Sequence, residues 1–171
     1  MILGAILAGG ESSRFGSDKA LAELHGRKLI DLARTALASQ CDDVVVIGRD
    51  DGIADWPAPG LGPLGGIAAA LNHALGNGFA EVLTCGVDSV GLPADLVRHL
   101  SPAPAYVASQ PVIGLWPAAA AGAIEERLFG DSSHSVRAFA DDIRARAVTV
   151  DILANVNTRE DLARLEQQDG L

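Results

Sequence analysis

Aromatic residues are scarce in this 171-residue chain, where one Tyr, two Trp and four Phe make up 4%. A core so poor in rings has to be filled by aliphatic side chains, and hydrophobic residues still reach 49%. That balance fits an α/β domain in which aliphatic helices pack on aliphatic strands. Cysteine is nearly absent. Cys41 and Cys85 lie far apart with no CxxC and no Cys/His cluster, which argues against a disulfide framework or a zinc site and makes a reducing cytoplasm the expected compartment. Positive charge is the minority: 13 Lys and Arg face 22 Asp and Glu, for a net charge of −9. Such a chain is not expected to bind nucleic acid. No run approaches the ~18–20 apolar residues of a membrane span. The apolar stretch Met1–Ala8 is too short and lacks the basic flank of a signal peptide. His25, His73, His99 and His134 show no metal-ligand spacing and form no recognisable Ser/His/Asp or Cys/His set. His73 and His99 read as helix-surface residues, and Asp50-Asp51, Glu125-Glu126 and Asp141-Asp142 as solvated charges. Linkers, repeats and low-complexity tracts are missing too, and the length suits one domain with a full core.

What the chain does have is Leu7-Ala-Gly-Gly-Glu-Ser-Ser-Arg-Phe-Gly-Ser-Asp-Lys19. Met1–Ala8 reads as a strand apolar on both faces, the pattern of a parallel-sheet centre. Gly9 and Gly10 follow it and let the backbone approach a ligand. Exposed N–H groups in such a turn cradle anions, and Arg14 and Lys19 are near enough in sequence to close over one. A polyphosphate is the expected guest. The acidic net charge does not prevent this, because surface charges beyond ~8 Å are screened at physiological salt. The loop is neither a Walker loop, which needs Gly-x-x-x-x-Gly-Lys-Ser/Thr, nor the Gly-x-Gly-x-x-Gly dinucleotide pattern. Its competing reading is a plain strand-turn segment with stray charges.

Periodicity predicts a helix over Lys28–Ser39, a strand over Asp43–Gly48, a helix over Gly66–Leu75 ended by Gly76 and a strand over Ala80–Gly86. Pro93 is placed in the first turn of a helix through Leu100. Strands alternating with helices at these separations imply right-handed βαβ units and a parallel sheet. Beyond residue 100, Tyr106–Ser109 and Pro111–Trp116 read as short strands, a hairpin or a crossing edge pair. Helices follow over Ala118–Leu128 and from Ser133 to about Arg144, then a strand over Ala147–Asp151. Thr158-Arg-Glu-Asp161 resembles a capping box opening a final helix.

In open α/β sheets ligands sit beyond the carboxyl ends of strands, where three segments here carry chemistry. The first is the glycine loop, which resembles the Leu-Ala-Gly-Gly-x-Ser-x-Arg-Met-Gly-x-Asp-Lys signature of nucleotidyltransferases, in particular the molybdenum cofactor guanylyltransferases of MobA type. Phe15 in place of Met is its one departure. The second, Gly62-Pro-Leu-Gly-Gly66, resembles the family's Gly-Pro-Leu-Ala-Gly motif, with Asp55 at the family's acidic position seven residues earlier; a plain Gly/Pro turn is its competing reading. The third, Cys85-Gly-Val-Asp-Ser-Val-Gly-Leu-Pro93, matches a motif whose aspartate holds magnesium, and Val90 and Gly91 replace its usual residues. That substitution predicts a looser loop around Asp88, and a helix cap near Pro93 is the competing role for Asp88. One carboxylate suffices for magnesium, which keeps waters and takes phosphate oxygens.

The resemblance extends through Gln110-Pro-Val-Ile-Gly-Leu-Trp-Pro117, Ser135-Val-Arg-Ala-Phe139 and Asn155-Val-Asn-Thr-Arg-Glu-Asp-Leu162. The segment from Ser101 to Gln110 is short relative to the family, so a loop that helps choose the second substrate is expected to be missing. The resemblance implies a single-domain, Rossmann-like, doubly wound and mostly parallel α/β fold with helices on both faces, of the nucleotide-diphospho-sugar transferase kind. Residues 1–100 would form its nucleotide-binding half and 101–171 its acceptor-binding half. It also implies magnesium-dependent transfer of GMP from GTP to the phosphate of molybdenum-bearing molybdopterin, with molybdoenzyme apoproteins or their chaperones as further partners. Leu7, Ala8, Gly9 and Gly10 would frame the nucleotide and Arg14 and Lys19 would hold its phosphates. Asp55 would orient the nucleoside and Asp88 carry magnesium. Asn155 and Asn157, with paired carboxamide donors and acceptors, and Arg137 would meet the acceptor; helix capping for the asparagines and a solvated surface role for Arg137 stay open. So do a cytidylyl or sugar-phosphate transferase and a catalytically weak nucleotide-binding relative.

Overall fold

The computed structural model describes residues 1–9, 18–151, 154–156 and 158–169, and at 154, 155 and 169 the backbone alone. In chain order the strands are β1 Ile2–Leu7, β2 Glu23–Leu24, β3 Arg27–Lys28, β4 Asp43–Ile47, β5 Glu81–Gly86, β6 Ser89–Val90, β7 Ala105–Val107, β8 Gln110–Pro117, β9 Arg146–Val148 and β10 Ala154–Asn155. The helices are α1 Leu29–Ala38, α2 Pro63–Gly76, α3 Leu96–Leu100, α4 Ala121–Phe129, α5 Val136–Asp142 and α6 Arg159–Asp169.

A six-stranded sheet runs in the order β4-β1-β5-β8-β7-β9. β1 lies between β4 and β5 and is parallel to both. β8 is antiparallel to β5 and to β7, while β9 is parallel to β7. The unbroken apolar run of β1 is explained by cover on both faces: Leu3 and Ala5 join one buried cluster with α2, α4 and α5, and Ile6 joins the other with α1 and α3. Helices therefore occupy both sides of a mostly parallel sheet, as expected. A third cluster of Leu24, Leu29, Val156 and Leu165 fastens the β2–β3 hairpin and α6 to the start of α1.

The few rings are concentrated where small residues leave room. Trp116 is fully buried, stacks with Tyr106 at 6.3 Å between centroids and meets Phe139 at 5.4 Å. Its indole occupies the space a Cβ on Gly114 would take, and its Nε1–H donates to Thr84 Oγ1 at 2.9 Å. Thr84 passes its own hydroxyl proton to the Val112 carbonyl at 2.6 Å. The rest of that face is aliphatic: α2 buries Leu64 through Leu71 without a break, and its alanines let the helix lie close to the sheet. Burying each large side chain contributes about 1.5–3 kcal/mol.

Several expected boundaries shift by a few residues, among them α5, which is Val136–Asp142, and β9, which is Arg146–Val148. α2 begins at Pro63, whose missing N–H costs nothing in a first turn, and it includes Gly76, with Asn77 as its cap. Pro93 stands before α3; its carbonyl accepts from Leu96 N at 3.3 Å. The hairpin reading of β7 and β8 holds, but β8 is interior, between β5 and β7. The capping box is present as read: Asp161 N donates to Thr158 Oγ1 at 3.1 Å and Thr158 N to Asp161 Oδ2 at 3.0 Å.

Candidate active site

β1, β4 and β5 end together at one edge of the sheet, and their last residues are in register: Leu7 pairs with Ile47 on one side and with Gly86 on the other. The loops that follow therefore emerge side by side, at the ~4.8 Å spacing of neighbouring strands. After β4 the backbone turns at Gly48 with φ +86, where a Cβ would stand 2.6 Å from Gly9 Cα. Only glycine fits both the left-handed turn and that approach. Ala8 N donates to Ile47 O at 2.9 Å and Gly48 N to Ile53 O at 2.7 Å, so both segments are held to the sheet.

Asp55 closes this cradle. Its carboxylate oxygens lie 3.2 Å and 3.3 Å from where Cβ atoms on Gly48 and Gly9 would be, and 3.6 Å from the same point on Gly66 in the first turns of α2. The side chain is half-buried, and burial raises its pKa above the ordinary aspartate value. Beside the cradle is a cavity of about 600 Å³ lined by Ala8, Gly9, Asp18, Gly48 and Arg49, with the exposed Asp50 and Asp51 at its rim. On its far wall Asp18 accepts from Ala20 N at 3.1 Å and so caps the Lys19–Leu21 turn. Lys19 follows it in that turn.

Asp88 lies two residues past β5, half-buried, with its side chain folded over Gly86. Its carbonyl accepts from Val156 N at 2.7 Å. The loop expected to be looser carries a paired strand: β6 runs antiparallel to β10, Ser89 opposite Asn155 and Val90 opposite Ala154. A β-branched Val suits that ladder, and Gly91 turns with φ +75. The capping role near Pro93 is overturned: the cap position of α3 is Asp95, seven residues further on. Asp88 is thus held two residues beyond the end of β5, the strand that pairs with β1.

Leu7, Ala8, Gly9 and Asp55 come together as one cradle, and Asn155 is brought against the Asp88 loop by its backbone. Gly10, Arg14 and Asn157 lie outside the described residues, as does the side chain of Asn155. Arg137 is exposed on α5, where its Nη2 donates to Ala108 O at 3.0 Å across the turn from β8. Two contacts of the site could not be read from the motifs. Ser89 Oγ donates to Gln110 Oε1 at 2.9 Å, joining the Asp88 loop to the start of β8. Arg49, the residue after Gly48, donates from Nη1 to both oxygens of Asp18 at 2.8 Å and 3.1 Å. Its place directly after a parallel strand is the one signal that pointed to it.

Residues 4–170 match the family model for the MobA-like NTP transferase domain. The chain belongs to that family. A molybdenum cofactor guanylyltransferase of Acidiphilium cryptum is 36% identical over 180 residues, covering 94% of this chain and 92% of that protein. One from Rhodobacter capsulatus is 36% identical over 184 residues, covering 98% and 96%. In fold, the chain matches the molybdopterin-guanine dinucleotide biosynthesis protein A of Archaeoglobus fulgidus with a TM-score of 0.74 at 22% identity, over 98% of each chain. The chain is a nucleotidyltransferase, and the strand ends just described are where such a fold binds its ligand.

In this transferase Asp55 carries a charge that its surroundings penalise. Its folded pKa is raised, so the folded state binds the proton more tightly than the unfolded chain does, and that contribution is lost as pH rises through the folded value. Asp55→Asn is therefore expected to melt at or above the wild-type temperature at pH 7, with the gap closing towards the acid side where the wild-type side chain is neutral. The same variant is expected to weaken nucleotide binding about tenfold or more, the cost of losing a charge-assisted contact. Melting curves from pH 4 to 8 and a nucleotide titration check both; a variant that melts lower at pH 7 and binds as wild type would make Asp55 structural.

Proposed function

We propose that this transferase moves GMP from GTP to the terminal phosphate of molybdenum-bearing molybdopterin, forming the molybdopterin guanine dinucleotide cofactor. An acceptor phosphate oxygen attacks the α-phosphorus, a new P–O–P linkage forms, and the bond to the β-phosphate breaks to release pyrophosphate. The observation that supports this reading most is the register of Leu7 with Gly86, which starts the loops carrying Gly9 and Asp88 from neighbouring strand ends. The names of relatives alike over nearly the whole chain supply the two substrates. A phosphate oxyanion is already a nucleophile, so no general base is required, in keeping with a site where Asp55 and Asp88 occur without a histidine partner in their motifs. Rate then comes from aligning two anions and balancing their charge.

In this reading the backbone at Ala8 and Gly9 lies along the nucleotide, Asp55 orients the nucleoside, and Lys19 and Arg14 hold phosphates. The divalent cation expected of a nucleotidyltransferase is magnesium in our proposal. Among the described residues no three His, Cys, Asp or Glu side chains form a metal cage; a single strand-end carboxylate, Asp88, suits an ion that completes its shell with phosphate oxygens and water. When bound, that ion neutralises phosphate charge as it develops. The acceptor belongs to residues 101–171, with Asn155, Asn157 and Arg137 toward it, and the nucleotide to residues 1–100. The dinucleotide product would pass to molybdoenzyme apoproteins or their chaperones in the cytoplasm. Among the described residues no helix is long and apolar enough to cross a membrane.

GTP with magnesium is expected to raise the melting temperature more than ATP, CTP or UTP at equal concentration. A hundredfold excess over Kd is worth about 2.7 kcal/mol, or roughly 5–10 °C in a domain of this size. Equal shifts with all four would remove the guanylyl assignment and leave the transferase. A preference for CTP would favour a cytidylyl relative, whose fold is shared: the Thermus thermophilus 2-C-methyl-D-erythritol 4-phosphate cytidylyltransferase superposes with a TM-score of 0.65 at 14% identity.

A further inference from the structure

We infer that Arg49 is a positioning residue for Lys19, acting through Asp18; this rests on the phosphate-binding role given to Lys19 above. Arg49 springs from the rigid edge of the sheet. Gly48 N is bonded to Ile53 O, and Arg49 O accepts from Gly52 N at 3.0 Å, so its backbone is fixed at both sides. From there the guanidinium spans 31 residues of sequence to Asp18 and gives Nη1 to both carboxylate oxygens. One of those oxygens, Oδ1, also accepts from Ala20 N. The carboxylate is thus shared between the cap of the Lys19–Leu21 turn and a cation anchored on β4, and Lys19 is the residue between the two bonded positions 18 and 20.

Stability does not account for this strut. The Asp18 side chain is 45% exposed and that of Arg49 21%, and pairs as wet as this contribute little to folding. Both line the cavity beside Gly9. A short 3-10 turn has few backbone bonds of its own, whereas a turn clamped to the sheet edge fixes the point of the backbone from which the Lys19 side chain starts. Nη1 is committed to Asp18, while Nε lies 3.8 Å from Asp51 Oδ1; direct contact of Arg49 with substrate is the competing role that the double variant separates.

A double-mutant cycle on the full chain tests this, with GTP, magnesium and molybdenum cofactor and pyrophosphate release as the readout. Asp18→Asn keeps a capping oxygen and loses the ion pair; Arg49→Met keeps the stem and loses the charge. Each single variant is expected to lose about tenfold in kcat, with the KM for GTP changed less than about threefold, and the double variant to lose no more than about twice the larger single loss. Melting temperatures should stay within about 3 °C of wild type, and Arg49→Lys should recover part of the rate. Multiplying losses, near a hundredfold in the double variant, would overturn the inference by making Arg49 act on substrate itself. Single variants within about twofold of wild type, while Lys19→Ala is inactive, would overturn it and leave the site reading intact. Normal turnover by Lys19→Ala would overturn both.

Discussion

Asp88→Asn is expected to abolish nucleotidyl transfer while leaving the fold unchanged. The amide has the carboxylate's shape, so it can fold over Gly86 in the same way, and the loop around it is held by backbone: Val156 N to Asp88 O, and the β6–β10 ladder. None of those bonds uses the side chain. What is lost is the negative charge that would hold a hard cation against the triphosphate. A drop of at least about a thousandfold in kcat/KM, some 4 kcal/mol of transition-state stabilisation, is the expected size, with a change in melting temperature under about 2 °C. Raising magnesium should restore wild-type rates at limiting metal and do nothing for the variant. A variant that turns over normally at low magnesium would end the metal role of Asp88 and shift the charge problem onto Lys19 and Arg14 alone.

The strand-end chemistry was readable because it depends on short-range patterns. β1 is apolar on both faces and is followed at once by glycine, so its burial and its use were both visible in Met1–Gly10. Asp55 and Asp88 could be placed only as members of motifs; their distance from Gly9 depends on the register of three strands, which no spacing along the chain encodes. The order of the sheet was likewise hidden. β8 looks like one arm of a hairpin, and only the pairing of Thr84 with Gly114 and Val82 with Trp116 makes it interior. The β2–β3 hairpin has two residues in each strand, too few to show a period. Ser89 with Gln110 and Arg49 with Asp18 are single contacts across 21 and 31 residues, formed because the fold brings loop ends together. The pairing of the Val90 segment was hidden for the same reason: its partner strand lies more than sixty residues away.

Lys19→Ala is the second large expected effect, and it bears on how the site handles charge. The electron pair of the breaking P–O bond passes to the departing pyrophosphate, so a cation at that point stabilises the transition state more than the bound nucleotide. The chain is acidic overall, and Asp18, Asp50 and Asp51 line the cavity beside the glycine cradle, so phosphates bound there need cations near them. A loss of at least about a hundredfold in kcat/KM, near 2.7 kcal/mol, is expected, falling more on kcat than on KM. Stability should hardly move, since Lys19 is not part of a buried cluster and the turn keeps its Asp18 cap. Lys19→Arg should recover only part of the rate, because a planar guanidinium does not replace a compact ammonium at a fixed point. If Lys19→Ala stays within about threefold of wild type, under ~0.7 kcal/mol, the cation that meets the departing phosphates is not Lys19, and Arg49, which lines the cavity beside Gly9, becomes the side chain to test in its place.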